Sequence, residues 1–190
     1  PGRRLLVIGG GYIGLEAAAV ARKLGLEVVL IEAADRILRR VASAETASAM
    51  RALHEEHGVV IREATGLARL VGENGRVTGA ELVDGTFIPA DFAVIGIGVS
   101  ANDALAGEAG LDVANGVVVD EFGRTADPAI FAAGDCAVFP YQGQRIRLES
   151  VQNAVDQAEA VAAVLAGGRE PYAPHPWFWS DQYDVKLQIA

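Results

Sequence analysis

The sequence predicts an α/β fold, because short apolar runs of strand length alternate with segments of helical length. Residues 5–8 and 27–31 are apolar runs typical of buried parallel strands, and the alanine-rich stretch 12–24 between them is typical of a helix. Two hairpin signals, Asn74-Gly75 and Asp84-Gly85, indicate a small antiparallel meander. We therefore expect a parallel α/β sheet with an inserted antiparallel β-meander, followed by a second α/β segment.

The first strand leads directly into a glycine-rich turn, in which Gly9, Gly11 and Gly14 follow the order G-x-G-x-x-G. The first glycine permits a tight turn, the second admits a pyrophosphate close to the backbone, and the third lets helix and strand pack closely. The helix that begins near Tyr12 and Ile13 presents free N–H groups, which favour phosphate. These residues predict a Rossmann-like dinucleotide site; a glycine turn in another βαβ unit is the alternative.

The second strand ends in Glu32, which lies 23 positions after Gly9 and can hold the hydroxyls of an adenosine ribose. The next loop contains Arg36, Arg39 and Arg40. A solvated surface is the ordinary explanation for such a loop, and a contact with the adenosine or phosphate end is the functional one, with Arg40 included in the predicted site. Glu32 would repel a 2′-phosphate that Arg36 would attract, and its place at the strand end favours NAD(H).

A second helix is predicted from Ser43, a suitable N-cap, to His57, with Gly58 ending it. His54 and His57 are three positions apart on this helix, a spacing that could hold a metal. The sequence shows no third ligand nearby, so a solvated or packed histidine pair is favoured and no metal site is predicted.

Residues 92–95 form another predicted buried strand, which leads into Gly96-Ile97-Gly98, where a second close approach of backbone is expected. An apolar strand over 129–133 is expected to carry Gly134-Asp135 at its C-terminal end, which would place a carboxylate at the rim of a sheet. The other expected elements are strands over 59–61, 116–120, 145–148 and 185–189, a short helix over 101–109, and a long helix over 150–166.

Composition excludes several classes of protein. The 190 residues are 51% hydrophobic, which allows a core, and a net charge of −9 argues against nucleic acid or an anionic membrane as a partner. No apolar run is long enough to indicate a transmembrane helix. The single cysteine, Cys136, forms no internal disulfide and fits a reducing compartment, so we expect a cytoplasmic protein.

Because the chain starts just before a core strand and stops within one, we expect a piece of a longer protein.

Four stretches carry a resemblance to a known family: 9–16 (GGGYIGLE), 95–102 (IGIGVSAN), 125–135 (TADPAIFAAGD) and 176–184 (PWFWSDQYD). Through them the chain resembles the FAD-dependent, NADH-using ferredoxin reductases of cytochrome P450 and aromatic dioxygenase systems. These enzymes are related to rubredoxin reductases and apoptosis-inducing factor, within the pyridine nucleotide-disulfide oxidoreductase superfamily. The last stretch is the most diagnostic of the ferredoxin-reductase branch.

The resemblance implies three parts: an NAD(H)-binding domain over 1–98, the second segment of a FAD-binding α/β domain over 99–170, and the start of a C-terminal domain over 171–190. The implied activity is electron transfer from NADH through FAD to a ferredoxin-type iron–sulfur protein. The first FAD segment of the family has no counterpart here, so we expect this chain alone to bind FAD weakly or not at all. The alternatives are an NAD(H)-binding module without turnover, an apoptosis-inducing-factor-like flavoprotein or a rubredoxin reductase.

The resemblance also implies roles for single residues. Glu16 would contact the nicotinamide carboxamide, and Asp135 would accept a hydrogen bond from the FAD ribityl chain. The helix that opens at Val151 would point its N-terminus at the flavin, and Trp177 or Trp179 would lie beside the flavin ring. The structural alternatives are a surface-facing helix residue for Glu16, a helix or turn cap for Asp135, and core packing of the C-terminal domain for the two tryptophans. Gly98 completes the predicted cofactor-binding set; no catalytic side chain is predicted, because hydride passes between the cofactors.

Overall fold

The apolar runs at the start of the chain form one parallel sheet in the computed structural model, which describes residues 2–190. The strands are β1 (Arg4–Ile8), β2 (Glu27–Ile31), β3 (Val59–Arg62) and β7 (Phe92–Ile95), in the order β3-β2-β1-β7. Helices α1 (Tyr12–Lys23) and α2 (Ala44–Glu56) connect β1 to β2 and β2 to β3. All three strand pairs are parallel, which confirms the predicted α/β class.

The central strand β1 is buried on both faces, which explains its uninterrupted apolar sequence. Leu5 and Val7 belong to a core cluster with residues of α1 and α2. Leu6 and Ile8 point to the opposite face and pack with residues of the meander. Each of these side chains contributes about 1.5–3 kcal/mol through burial, so β1 anchors the loop that follows it.

The meander consists of β4 (Leu67–Glu73), β5 (Arg76–Leu82) and β6 (Phe87–Pro89), which pair antiparallel in that order. Its turns fall at the predicted hairpin signals, where Asn74, Gly75 and Gly85 adopt positive φ. The second predicted helix also begins as expected, because Ser43 Oγ accepts a hydrogen bond from the backbone N–H of Thr46 (3.2 Å).

The chain divides into two compact units. The first contains the residues up to Gly98 together with Trp179–Ile189, and the second contains Val99–Phe178 and Ala190. The second unit contains α3 (Ala104–Glu108), β8 (Val117–Val118), β9 (Ala137–Tyr141), β10 (Gln144–Ile146) and α4 (Val151–Leu165). Its strands form a three-stranded sheet in the order β10-β9-β8. The elements α3 and β8 are shorter than the sequence suggested, and β9, which buries Phe139, was not predicted.

The prediction of a strand over 129–133 is wrong. Phe131 makes only an isolated bridge to Arg124, and Gly134–Cys136 forms a 3₁₀ turn before β9 rather than following a strand. The reason is local hydrogen bonding: Thr125 Oγ1 donates to the carbonyls of Asp127 (3.0 Å) and Ile130 (2.9 Å), and Asp127 Oδ1 accepts from the N–H of Ala129 (2.8 Å). Such side-chain bonds offer the backbone an alternative to a sheet.

The C-terminal residues form a hairpin of β11 (Phe178–Gln182) and β12 (Val185–Ile189), joined by Tyr183-Asp184. Along β11, Ser180 and Gln182 are fully buried while Trp179 and Asp181 are exposed. This alternation is the period of two expected of a strand with one covered face. Within residues 2–190, no helix has the length and apolar character needed to cross a membrane.

Candidate nucleotide-binding site

The glycine turn between β1 and α1 is packed so closely that two of its glycines admit no side chain. Gly9 has φ +106°, and a Cβ there would lie 2.4 Å from the carbonyl oxygen of Gly96, in the loop that follows β7. A Cβ on Gly14 would lie 2.0 Å from the carbonyl oxygen of Gly9. The two loops therefore touch through backbone atoms, and α1 begins against the end of β1.

Gly11 differs from both, because a Cβ there would meet no atom within 4 Å from the described residues beyond its two chain neighbours. It faces a cleft of about 650 Å³ at the carboxyl ends of β1, β2 and β7, which is the edge where open α/β sheets bind ligands. Five predicted site residues line the cleft: Gly9, Gly11, Tyr12, Glu32 and Arg40. The other lining residues are Ile8, Gly10, Ile31, Ala33, Ala34, Leu38, Arg39, Val41, Thr65, Leu67, Ile95, Gly96 and Ile97.

The carboxylate of Glu32 is held by backbone N–H groups. Its Oε2 accepts from Gly10 N (2.6 Å), within the glycine loop, and its Oε1 accepts from Ala34 N (2.7 Å). Charge-assisted bonds of this length are strong and orient the carboxylate. Glu32 thus connects the end of β2 to the glycine loop and places a negative charge on the cleft wall.

The three loop arginines take different positions. Arg36 turns back onto its own loop, where Nη2 donates to the carbonyl of Ala42 (2.9 Å), and it does not line the cleft. Arg39 forms an exposed ion pair with Asp35 (2.9 Å). Arg40 lines the cleft, and no ion pair holds it within residues 2–190, so it is the arginine best placed to meet an anionic ligand.

Glu16 lies on the first turns of α1, outside the cleft lining, as do Ile13 and Gly14. Its Oε1 accepts a hydrogen bond from Ser180 Oγ of β11 at 2.5 Å. The glutamate is half-buried, so the explanation as a free surface residue does not apply to it. Gly98, with φ +111°, follows the lining residue Ile97 but does not line the cleft itself.

Sequence reasoning missed the buried polar residues behind Glu16. Gln182 Nε2 donates to Ser180 Oγ (3.0 Å), and Gln182 Oε1 lies 2.8 Å from His54 Nε2. All three side chains are fully buried. The signal available was the pair Ser180 and Gln182, two positions apart on a strand, whose spacing places both on one face.

The two histidines of α2 are packed rather than arranged around a metal. His57 stacks on Tyr183, with ring centroids 3.7 Å apart, and His54 meets the same ring edge-on at 5.0 Å. Within the part of the chain that the structure describes, no group of three His, Cys, Asp or Glu side chains is placed to hold a metal ion.

Burial lowers the pKa of His54 below its ordinary value of 6.5, and the charge of His57 lowers it further, while the hydrogen bond to Gln182 opposes the shift. The unfolded chain therefore binds this proton more readily than the folded one. The stability contributed by a neutral His54 is complete above about pH 6.5 and is lost as the pH falls through 6.5 towards the folded pKa.

We expect the free energy of unfolding of the wild type to decrease between about pH 7.5 and about pH 5.5, and His54→Phe to weaken this dependence. Urea denaturation at both pH values measures it. His175→Phe is the matched control, because His175 is exposed and takes no part in the contacts of His54, so its variant should keep the wild-type slope. An undiminished slope in His54→Phe would contradict the assignment to His54.

In the second unit, Asp135 is exposed on the 3₁₀ turn that packs against the first turns of α4. Gly134 N donates to Gln157 Oε1 (2.8 Å), and a Cβ on Gly134 would lie 3.3 Å from that of Ala154. Ser150 caps the helix by accepting from Asn153 N (3.1 Å), and Val151 at its start is 66% exposed. The structure thus places an exposed carboxylate beside an accessible helix N-terminus.

Arg147 holds the Asp135 turn in place. Its Nη1 donates to the backbone carbonyl of Asp135 (2.9 Å), and its Nη2 forms an ion pair with Glu149 (2.5 Å). Sequence reasoning left Glu149 without a role; the structure shows that it positions Arg147.

The two tryptophans stand at the start of the C-terminal hairpin. Trp179 lies on β11 and Trp177 just before it, and each exposes more than a third of its surface (39% and 37%). Neither tryptophan ring is therefore completely buried in a core within this chain.

Comparison with known proteins agrees with this geometry. The family described as "Pyridine nucleotide-disulphide oxidoreductase" matches residues 1–158. Rhodocoxin reductase from Rhodococcus erythropolis is 50% identical over 188 residues, which cover 98% of this chain and 44% of that protein. The chain spans about half the length of the curated relatives it matches.

Two solved structures are similar over 98% of the chain and 46% of their own length. The ferredoxin reductase for the CYP199A2 system from Rhodopseudomonas palustris has a TM-score of 0.94 at 46% identity. The covalent putidaredoxin reductase–putidaredoxin complex has a TM-score of 0.93 at 44% identity.

Proposed function

Because the chain belongs to the pyridine nucleotide-disulphide oxidoreductase family, we propose that it is the NADH-binding half of a flavoprotein reductase that passes electrons through FAD to a ferredoxin-type iron–sulfur protein. The observation that carries this proposal is the cleft formed by the glycine loop and Glu32. The similarity to rhodocoxin reductase and to a reductase bound to putidaredoxin supports the class of acceptor. The proposed location is the cytoplasm.

In this proposal, residues 1–98 bind NAD(H), 99–170 form the second segment of a FAD domain, and 171–190 begin a C-terminal domain. The pyrophosphate of NADH lies against Gly11 and the N-terminus of α1, where free N–H groups and the helix dipole favour anions. Glu32 accepts hydrogen bonds from the adenosine ribose with the lone pairs that Gly10 N and Ala34 N leave open. Arg40 contacts the adenosine end, and Tyr12 and Gly98 flank the dinucleotide.

Glu16 is proposed to orient the nicotinamide. A carboxylate accepts from the amide N–H of the carboxamide, and this bond would determine the rotation of the ring and the face that donates hydride. Ser180 occupies Oε1 of Glu16, so the other oxygen is the one proposed to receive the ligand.

The residues of the second unit fit a flavin, because an exposed carboxylate lies beside a helix N-terminus. When bound, FAD would supply the acceptor for hydride from NADH and the source of single electrons for the iron–sulfur partner. Asp135 would accept from a ribityl hydroxyl, and the N-terminus of α4 at Val151 would stabilise negative charge. Trp177 and Trp179 would cover an aromatic ring. An NAD(H)-binding module without turnover is the second candidate, favoured because the cleft is lined by residues of the first unit alone.

The proposal is tested with the flavin-loaded reductase that contains this chain, mixed without oxygen with NADH or NADPH. We expect NADH to bleach the flavin absorbance much faster than NADPH, and the reduced protein then to reduce a [2Fe–2S] ferredoxin. A protein that binds NADH but carries no flavin would support the binding module instead. Equal rates with both coenzymes would contradict the proposed choice of NADH.

Glu32→Gln should reduce the preference for NADH over NADPH by about tenfold, because it removes the charge that repels a 2′-phosphate and one acceptor for the ribose. Fluorescence titration with each coenzyme measures the ratio. Glu63→Gln is the matched control: Glu63 also holds a loop N–H, that of Ile37 (2.9 Å), but it does not line the cleft. A ratio unchanged in Glu32→Gln, or changed equally in both variants, would assign Glu32 to loop structure alone.

A further inference from the structure

We propose that Ser180, backed by Gln182 and His54, is a positioning residue that holds the carboxylate of Glu16 in one orientation for the nicotinamide carboxamide. This inference rests on the proposed function, because it takes the contact between Glu16 and the nicotinamide as its starting point. It adds a role for three side chains that neither the glycine-loop motif nor the cleft lining includes.

The side chains form a continuous line of hydrogen bonds from the half-buried helix α1 into the interior. Ser180 Oγ is 2.5 Å from Glu16 Oε1, Gln182 Nε2 is 3.0 Å from Ser180 Oγ, and Gln182 Oε1 is 2.8 Å from His54 Nε2. At the far end, the hydroxyl of Tyr183 lies 3.4 Å from His54 Nδ1. The hairpin itself is tied to α1 a second time, because Lys23 Nζ donates to the carbonyl of Tyr183 (3.0 Å).

The chemistry of each group determines the direction of donation along this line. An ionised Glu16 only accepts, so Ser180 must donate its single hydroxyl proton to it. Ser180 Oγ then accepts from the amide NH₂ of Gln182, which leaves the amide oxygen facing His54. A carbonyl oxygen only accepts, so His54 must carry its proton on Nε2.

Every bond in the line therefore donates towards Glu16. Hydrogen bonds aligned in this way polarise one another. The last bond, in which Ser180 donates to the carboxylate of Glu16, is thereby strengthened. Reversing the amide of Gln182 would present its oxygen to Ser180, take the hydroxyl proton away from Glu16, and place the NH₂ group opposite the Nε2–H of His54. The ionised Glu16, which takes the only hydroxyl proton of Ser180, therefore fixes the amide orientation, and His54 supports it with the Nε2–H tautomer.

The functional result is a carboxylate with a fixed rotation. A glutamate on a helix surface samples several rotamers, and ordering it on ligand binding has an entropic cost. Ser180 holds Oε1 before the ligand arrives, so Oε2 is presented in a constant direction to the carboxamide N–H. Preorganisation of this kind acts on the near-attack geometry of the nicotinamide, and hence on the rate of hydride transfer.

Ser180→Ala tests the inference in the flavin-loaded reductase, with NADH and with reduced 3-acetylpyridine adenine dinucleotide as hydride donors. The acetyl analogue has a methyl group in place of the amide nitrogen and offers Glu16 no N–H. We expect Ser180→Ala to lower the rate of flavin reduction by saturating NADH about tenfold, and the rate with the analogue by less than about twofold.

Asp181→Ala is the matched control, because Asp181 lies on the same strand, faces outward and forms an exposed ion pair with Lys186 (3.2 Å). It should leave both rates unchanged. A thermal melt checks the fold of Ser180→Ala; should that variant unfold, Gln182→Met gives the same comparison, since it leaves Ser180 in place without its donor.

Equal losses with both hydride donors would show that Ser180 acts only through general packing and would overturn the inference. An unchanged rate of flavin reduction by NADH in Ser180→Ala would also overturn the inference, provided that NADH reduces the wild type normally. A wild type that does not oxidise NADH at all would instead overturn the proposed function, and the positioning role with it.

Discussion

Gly14→Ala is expected to destabilise the protein by more than about 3 kcal/mol, because overpacking against backbone cannot be relieved by a side-chain rotation. The added Cβ would lie 2.0 Å from the carbonyl oxygen of Gly9 and 3.3 Å from Val7 Cγ1. Helix α1 would have to move away from β1, which lies at the centre of the sheet and is buried on both faces. Urea denaturation followed by circular dichroism measures the loss.

Gly107→Ala provides the control for this change. Gly107 is within α3, and a Cβ there would lie 3.6 Å from the nearest side-chain atom, of Val113, an ordinary contact. Alanine in a helix is favoured over glycine by about 0.5–1 kcal/mol, so this variant should be as stable as the wild type or more so. A Gly14→Ala protein within about 1 kcal/mol of the wild type would show that α1 does not need its close approach to the loop.

Gly11→Ala is expected to leave stability within about 0.5 kcal/mol of the wild type and to weaken NADH binding about 10- to 100-fold, the equivalent of roughly 1–3 kcal/mol. Apart from Gly11 and its two chain neighbours, no residue among 2–190 has an atom within 4 Å of the added methyl, so the folded chain tolerates it. The methyl would instead occupy the part of the cleft where the pyrophosphate is proposed to lie. Titration of NADH fluorescence measures the dissociation constant.

The comparison of Gly11→Ala with Gly14→Ala is informative because the same methyl group is added three positions apart in one loop. One variant should lose binding and keep its fold, while the other should lose its fold. Gly107→Ala, which adds the methyl outside the cleft, should bind NADH like the wild type. Unchanged affinity in Gly11→Ala would mean that the dinucleotide does not approach the backbone at this glycine.

Local sequence was sufficient for much of the first unit. The strand–turn–helix unit from Arg4 to Lys23 is confirmed, and so is the parallel fold that contains it. The backbone hydrogen bonds of the glycine turn and of the helix capped by Ser43 are satisfied within a few residues. Those of the apolar runs are satisfied by an adjacent parallel strand. Glu32 could be placed on the cleft wall for the same reason, because it directly follows a strand whose end was predictable.

Local sequence failed where side chains compete with the sheet for the backbone. Residues 129–133 are apolar enough for a strand, yet Thr125 and Asp127 bond to the backbone of this segment and keep it in turns. Asp135 consequently precedes β9 instead of following a strand. The accessible position of its carboxylate beside α4 comes from the packing of Gly134 and Gln157.

By itself the sequence determined the class of fold, the glycine loop, the acidic end of β2 and a resemblance that indicated two nucleotide cofactors. Only the tertiary structure showed what supports Glu16, because its partner Ser180 is 164 positions away in the chain and the bond between His54 and Gln182 spans 128 positions. No periodicity or spacing encodes such contacts. They arise when burial removes water from polar side chains, which must then satisfy one another.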